Sequence, residues 1–408
     1  MNEGEHVTYG RAAGAAAVMG GVLVLGTACG GTTGEPKAAA SGAASVSASA
    51  SAEVLPKSSA AVLRVSPANG AADVRLAGAL KVEVDGGTLS EVVVTDKNGT
   101  KVAGTTAADG RSWTPEGGLV AGTAYTVSAQ AKDGQGLVSA VSSGFTTLVP
   151  AGKVSVRDNI GSGETYGVGM IVSVNFGKQV KDKDAVAKAV TVQGSDGTVA
   201  RGHWLEDDTR LDFRPQEYWK PGTKVTVKYR LKSVEITPGL YGDKDAEESF
   251  TVGESRISTV DAKTHRMTVT TAAGSRSVPI SAGNDQNPSW NGTMVIFSKE
   301  RVTRMNSATV PGVRGEPYDL AAVPHAMKLT DTGTYVHGNS WNQNIGRGNY
   351  SHGCVGLFDT EAGSKSSDAG KFYEESRIGD VVSIVNSKGE TVQPENGLSG
   401  WTLPWSQW

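Results

Sequence analysis

An internal repeat constrains this chain more than any other feature. "SWTPEGGLVAGTAYTVSAQ" (112–130) and "DFRPQEYWKPGTKVTVKYR" (212–230) align without a gap at an offset of 100 residues. Trp113 falls on Phe213, Pro115 on Pro215, Gly122-Thr123 on Gly222-Thr223 and Val127 on Val227. Each stretch is followed by a second β-type run, "SGFTTL" (143–148) and "ESFTVG" (248–253). Alternating Val and Thr between Gly/Pro turn signals suits half-buried strands and not helices. A repeat of this length, with turns every ~8–12 residues, has the spacing of a β-sandwich. The 53 glycines and the short Val/Thr runs point the same way, so the chain reads as mainly β.

"AGTAYTVSA" (121–129) resembles the tyrosine-corner region of immunoglobulin and fibronectin-type domains, with Tyr125 as the corner residue. The second copy has Val225 there, so its corner must be held by another group. Two Ig-like β-sandwich domains are therefore expected at 61–149 and 150–252. A third, β-rich domain is expected at 253–386 and a C-terminal segment at 387–408. The third domain shows β-type runs at 258–283, 293–305 and 380–386. "DTEAGSKSSDAGKFYEES" (359–376) reads as one short helix, with Asp359 or Thr360 as cap. Trp401, Trp405 and Trp408 close the chain. They read as a clamp packed on a neighbouring domain, in preference to an aromatic ligand platform.

The N-terminus reads as an export signal. Arg11 precedes an apolar, Gly-rich run ending in "LGTAC", which resembles a bacterial lipoprotein box with Cys29 as the lipidated residue. Residues 1–29 are then a lipoprotein signal peptide, with an uncleaved N-terminal anchor as the alternative. Residues 30–60 are Ala/Ser/Gly-rich, too poor in large apolar side chains to fold, and read as a disordered linker. Both readings place the chain outside the cytoplasmic membrane, held to its outer face through the lipid anchor. The net charge of −3 comes without any basic block, so nucleic acid is not an expected partner.

The only other cysteine is Cys354, in "GTYVHGNSWNQNIGRGNYSHGCVGLF" (333–358). If Cys29 carries lipid, Cys354 has no disulfide partner, and an exported lone thiol asks for another use. Two of the six histidines, His337 and His352, lie within eighteen residues of it. A thiol acts as a nucleophile once a base takes its proton. In an extended segment His352 and Cys354 would share a face, and a return of the chain would bring His337 opposite. Gly353 would let a carbonyl approach, with backbone N–H groups there as oxyanion donors. Three other uses compete: an inert buried thiol, structural histidines, and a zinc site of His337, His352 and Cys354. His325, expected on a mobile loop, is a conceivable fourth ligand.

"HGNSW…SHGCVGL" resembles the signature of the L,D-transpeptidase family. "ETYGVGMIVSVNF" (164–176), "GLYGDKD" (239–245) and "GLSGWTLPWSQW" (397–408) extend the similarity to actinobacterial lipoprotein members with tandem Ig-like domains. The resemblance implies Cys354 as nucleophile, His337 as general base and His352 and Ser351 as support. It implies that the carbonyl of Gly338 holds His337, and that Tyr318 sits on a lid loop over the cysteine. Thr332, Gly333 and Trp341 would border substrate. Gly356 stands where many members carry Arg and relatives with Ig-like domains often carry Asn. The implied partners are peptidoglycan stem peptides, a tetrapeptide donor and an acceptor amine, and β-lactams, carbapenems above all, as inhibitors. No metal or organic cofactor is implied. An L,D-carboxypeptidase with the same acyl-enzyme, or a non-catalytic wall-binding scaffold, are the alternatives.

Overall fold

A computed structural model describes residues 58–408, which form one compact unit. Cys29 and residues 30–57 of the expected linker lie outside the described residues. No helix among the described residues is long and apolar enough to cross a membrane.

The first sandwich packs two four-stranded sheets. One runs Val62–Ser66, Lys81–Asp85, Ser112–Pro115, Gly104–Thr106; the other runs Ala71–Val74, Val138–Thr147, Ala124–Asp133, Gly87–Asp96. Strict alternation along Ala124–Asp133 buries Tyr125, Val127, Ala129 and Ala131 and leaves their neighbours in solvent. Tyr125 stacks on Phe145, and its hydroxyl accepts the Val120 N–H at 2.8 Å, a tyrosine corner. Ser59 and Ala60, at the end of the expected linker, already bond to Leu137 and Asp133.

The second sandwich repeats the plan. One sheet holds Arg157–Asp158, Val172–Asn175, Arg210–Arg214 and Arg201–Leu205. The other holds Thr165–Tyr166, Asp245–Val252, Lys224–Arg230 and Val190–Gly194. The repeat is visible in single hydrogen bonds. Leu119 N–H donates to Leu76 O as Trp219 N–H donates to Val168 O, and Gly122 N–H donates to Leu148 O as Gly222 N–H donates to Val252 O. In the second copy, where Val225 replaces the tyrosine, the nearby Trp219 is buried and its indole donates to Met170 O at 2.9 Å, while the Tyr166 hydroxyl accepts the Gly161 N–H at 2.7 Å. A helix at Lys183–Lys188, capped by Asp182, lies in this sandwich and has no counterpart in the sequence reading.

The strands of the C-terminal domain are numbered β1 to β9. They are β1 (Arg256–Asp261), β2 (Arg266–Thr271), β3 (Gly274–Ser281), β4 (Gly292–Val295), β5 (Ser298–Asn306), β6 (Asp319–Lys328), β7 (Tyr335–Asn339), β8 (Val355–Phe358) and β9 (Val381–Val385). They form one sheet in the order β4-β9-β1-β2-β3-β8-β7-β6-β5. Residues from both halves, Val260, Met267, Met294, Val336 and Val355 among them, share one core sealed by Phe372 of helix α1 (Asp368–Glu375). The helix begins eight residues later than a cap at Asp359 suggested. Its cap is Ser367, whose Oγ accepts the Gly370 N–H. Asp359 has a different task, described below.

The second sandwich and the C-terminal domain share an apolar core: Val295, Val381 and Leu398 belong to the cluster that contains Met170, Ile171 and Phe213. At this seam the backbones touch, with Gly167 N–H on Ile378 O and Gly169 N–H on Gly379 O. The tryptophan tail closes the seam. Trp401 donates to Gly169 O and Trp408 to Arg201 O, both at 2.8 Å. The Arg214 guanidinium lies 4.6 Å from the Trp401 ring and 4.4 Å from the Trp408 ring, and donates to Leu403 O. Arg210, paired with the buried Asp212 at 2.7 Å, donates to Gly397 O. Trp401→Ala removes a hydrogen bond, a cation–π contact and packing at once. It should lower the unfolding free energy by roughly 2–3 kcal/mol. Denaturant melts read this; a loss below about 0.5 kcal/mol, typical of a free surface side chain, would show that the tail does not clamp.

Candidate active site

The site is built on two neighbouring strands. β7 and β8 pair in parallel, with His337 opposite Gly356 and Val336 opposite Val355. Parallel neighbours cannot be joined by a hairpin. The Gly/Asn-rich connection therefore runs from the end of β7 back to the start of β8, and delivers Cys354 one residue before β8 begins. His337 is 4% exposed. Its Nδ1 lies 2.9 Å from Gly338 O, and its ring stacks on Trp341 with centroids 5.9 Å apart. With Nδ1–H donating to that carbonyl, Nε2 is left as the acceptor. The Cys354 thiol is 3.6 Å from Gly333 O, and Cys354 is buried.

Residues 352–354 are not an extended segment, so simple alternation does not put His352 beside the thiol. Gly353 has φ +117°, and Ser351 Oγ donates to Cys354 O at 2.6 Å, closing a turn. A Cβ on Gly353 would meet open space, with Asn287 O at 4.0 Å. Glycine is thus required by the backbone angle and not by a close approach. The Gly353 N–H, expected as an oxyanion donor, instead donates to Ser351 Oγ at 3.2 Å. Its carbonyl accepts from Ser289 Oγ at 2.8 Å. His352 makes no hydrogen bond to Cys354; its ring packs on Tyr318, centroids 4.9 Å apart.

A cavity of about 390 Å³ opens over these groups, lined by Cys354, His337, His352, Tyr318, Trp341 and Asn339. Tyr318 stands at the base of the β5–β6 hairpin loop, its N–H and carbonyl both bonded to Ser307. A second cavity of about 630 Å³ lies beyond His352 and Gly353, bordered by Thr332, Gly333 and Val310–Arg314 of the hairpin tip. The tip is clasped by Asn287, whose amide donates to Arg314 O at 2.8 Å and accepts the Arg314 N–H at 2.7 Å.

Residues 71–235 match the bacterial Ig domain family, and residues 255–384 match the L,D-transpeptidase catalytic domain. L,D-transpeptidase 2 of Mycobacterium tuberculosis is 30% identical over 396 residues, covering 96% of this chain and 93% of that protein. L,D-transpeptidase 5 of the same species is 27% identical, covering 85% of this chain and 76% of that one. The chain belongs to the L,D-transpeptidase family. Among solved structures, an L,D-transpeptidase in complex with imipenem superimposes at a TM-score of 0.48 with 26% identity, covering 57% of this chain and 99% of that chain.

Several groups of this transpeptidase domain escaped the sequence reading. His325 is in β6, not on a mobile loop, and its Nδ1 lies 2.7 Å from Asp359, both side chains buried. Asp359 also accepts from Thr360 and Ser364 N–H, so it organises the turn after β8 where it had been expected to cap a helix. Asn339 lines the cavity two residues after His337. Its spacing along the strand, which puts both on one face, was the available signal.

Electrostatics leave the resting pair uncharged. Burial pushes the Cys354 thiol up to about 11, against the pull of the Tyr335 N–H. Burial also lowers His337, against the pull of Gly338 O. A neutral imidazole bordering the same cavity as the thiol is available as a base, and the two do not form a thiolate–imidazolium pair at rest. Burial likewise raises Tyr318 to about 12, with a further contribution from Cys354, so its phenol keeps its proton as a donor. Alkylation of Cys354 by iodoacetamide should therefore accelerate through the alkaline range toward about 11. Rates from intact-mass time courses test this; a plateau already reached near neutral pH would mean that a thiolate pre-exists.

Proposed function

We propose that this chain is a peptidoglycan L,D-transpeptidase that makes 3→3 cross-links through a Cys354 thioester. The supporting observation is that a single buried thiol and an oriented, neutral imidazole border the same cavity. Cys354 Sγ attacks the carbonyl carbon between the diamino acid at stem position three and the terminal D-Ala, and its proton passes to His337 Nε2. The C–N bond breaks, and His337 returns the proton to the departing D-Ala amine. The side-chain amine of a second stem then attacks the thioester carbonyl, giving its proton to His337. The C–S bond breaks, the new amide forms, and the thiol is restored. Tyr318 lines this cavity with a phenol that keeps its proton, which supports a role as donor to the developing oxyanion. The two sandwiches serve as a stalk from a lipidated Cys29, so the reaction takes place outside the membrane, in the cell wall. The strained ring of a carbapenem presents the same kind of carbonyl to the thiol and would trap it.

Incubation of the purified chain with tetrapeptide-stem muropeptides should yield free D-Ala and cross-linked dimers by mass spectrometry. Meropenem should add one adduct mass that Cys354→Ala abolishes. Trimmed tripeptides without dimers would overturn cross-linking in favour of hydrolysis. Absence of any adduct would overturn the thioester itself. Because burial lowers His337, D-Ala release should persist below pH 6.5, the ordinary histidine value.

A further inference from the structure

Gly356 departs from the polar residue expected two positions after the nucleophile, and the structure shows what occupies its place. In the parallel ladder Gly356 faces His337, so any side chain at 356 would project onto the face that carries the base. A Cβ built on Gly356 would meet Asn339 Nδ2 at 3.0 Å and Asn339 Cβ at 3.3 Å. The Asn339 side chain leans back along β7 into that space.

The orientation of the Asn339 amide is decided by its bonds. Its Oδ1 accepts the Asn342 backbone N–H at 2.9 Å, a bond that an amide NH2 could not make. Oδ1 is therefore engaged by the loop, and Nδ2 is the group beside Gly356. Among the described residues Nδ2 donates to no acceptor, yet it is not among the polar atoms sealed from solvent without a partner. Asn339 is itself only 4% exposed and lines the cavity shared by Cys354 and His337. A held amide with its oxygen satisfied and its N–H2 open to a reaction cavity is a prepared hydrogen-bond donor.

We propose that Asn339 is the substrate-orienting polar residue of this site, donating from Nδ2 to an acceptor oxygen of the donor stem peptide, and that Gly356 is glycine to make room for it. This inference rests on the acyl-transfer reading above, and the test separates the two.

Asn339→Asp keeps the volume and the acceptor for the Asn342 N–H but removes the open donor. It should still fold, with a lowered melting temperature because a carboxylate replaces an amide at a site only 4% exposed, and Cys354 should still take a meropenem adduct on long incubation, while kcat/KM for D-Ala release from a tetrapeptide stem falls roughly tenfold or more. Gly356→Asn alone should also lose activity, because its side chain collides with Asn339. The double variant Asn339→Ala/Gly356→Asn, which places the amide on the neighbouring strand, should recover to within about threefold of wild type. Wild-type turnover in Asn339→Asp, or a double variant no better than Gly356→Asn, overturns the assignment while leaving the thioester mechanism standing. A wild type that neither releases D-Ala nor takes an adduct overturns both.

Discussion

The parallel pairing of β7 with β8 is the constraint from which the site follows. Antiparallel neighbours can be joined by a two-residue turn, but parallel ones need a connection long enough to return to the starting edge. Here that connection is residues 340–354. It explains why the base and the thiol are far apart in sequence and share a cavity in space. It also explains the Gly and Asn content between them. A returning loop without a helix must satisfy its own backbone, and it does so through side-chain caps such as Asn339 Oδ1 on the Asn342 N–H and Asn342 Oδ1 on the Asn344 N–H.

That ladder is held from behind and from below. Asp359, directly after β8, receives the His325 ring and two backbone N–H groups, and its own N–H donates to Asn339 O at 3.2 Å. The end of β7 is thereby tied to the turn after β8. On the far side of the domain, the shared core with the second sandwich and the Trp401–Arg214–Trp408 stack join the two bodies through apolar packing, hydrogen bonds and cation–π contacts. Such a seam fixes the second sandwich against the C-terminal domain, where a flexible linker would not.

Much of this was legible in the residues. The repeat at 112–130 and 212–230 announced two sandwiches because burial on alternate positions is a local property of a strand. The Ser-His-Gly-Cys run drew attention to Cys354 because it sets a lone thiol among His and Gly, and the structure buries that thiol at the edge of a cavity. The helix cap was misplaced because Asp359, a good cap by residue type, is engaged instead by the His325 ring and by the Thr360 and Ser364 N–H groups. His325 was assigned to a loop because its neighbours "AAVPHAM" give no period that separates a buried strand from a turn.

The sequence by itself determined the mainly-β class, the tandem architecture and the identity of the thiol and its candidate bases, since each depends on residue type and local spacing. Tertiary structure decided which groups serve them. It set the left-handed turn that diverts His352 toward Tyr318. It engaged the Gly353 amide with Ser351, and buried both thiol and imidazole so that neither is charged at rest. It also brought Asn339 over Gly356, a contact across strands that no spacing along the chain reveals. Those outcomes depend on register and burial, and both are fixed only when distant segments meet.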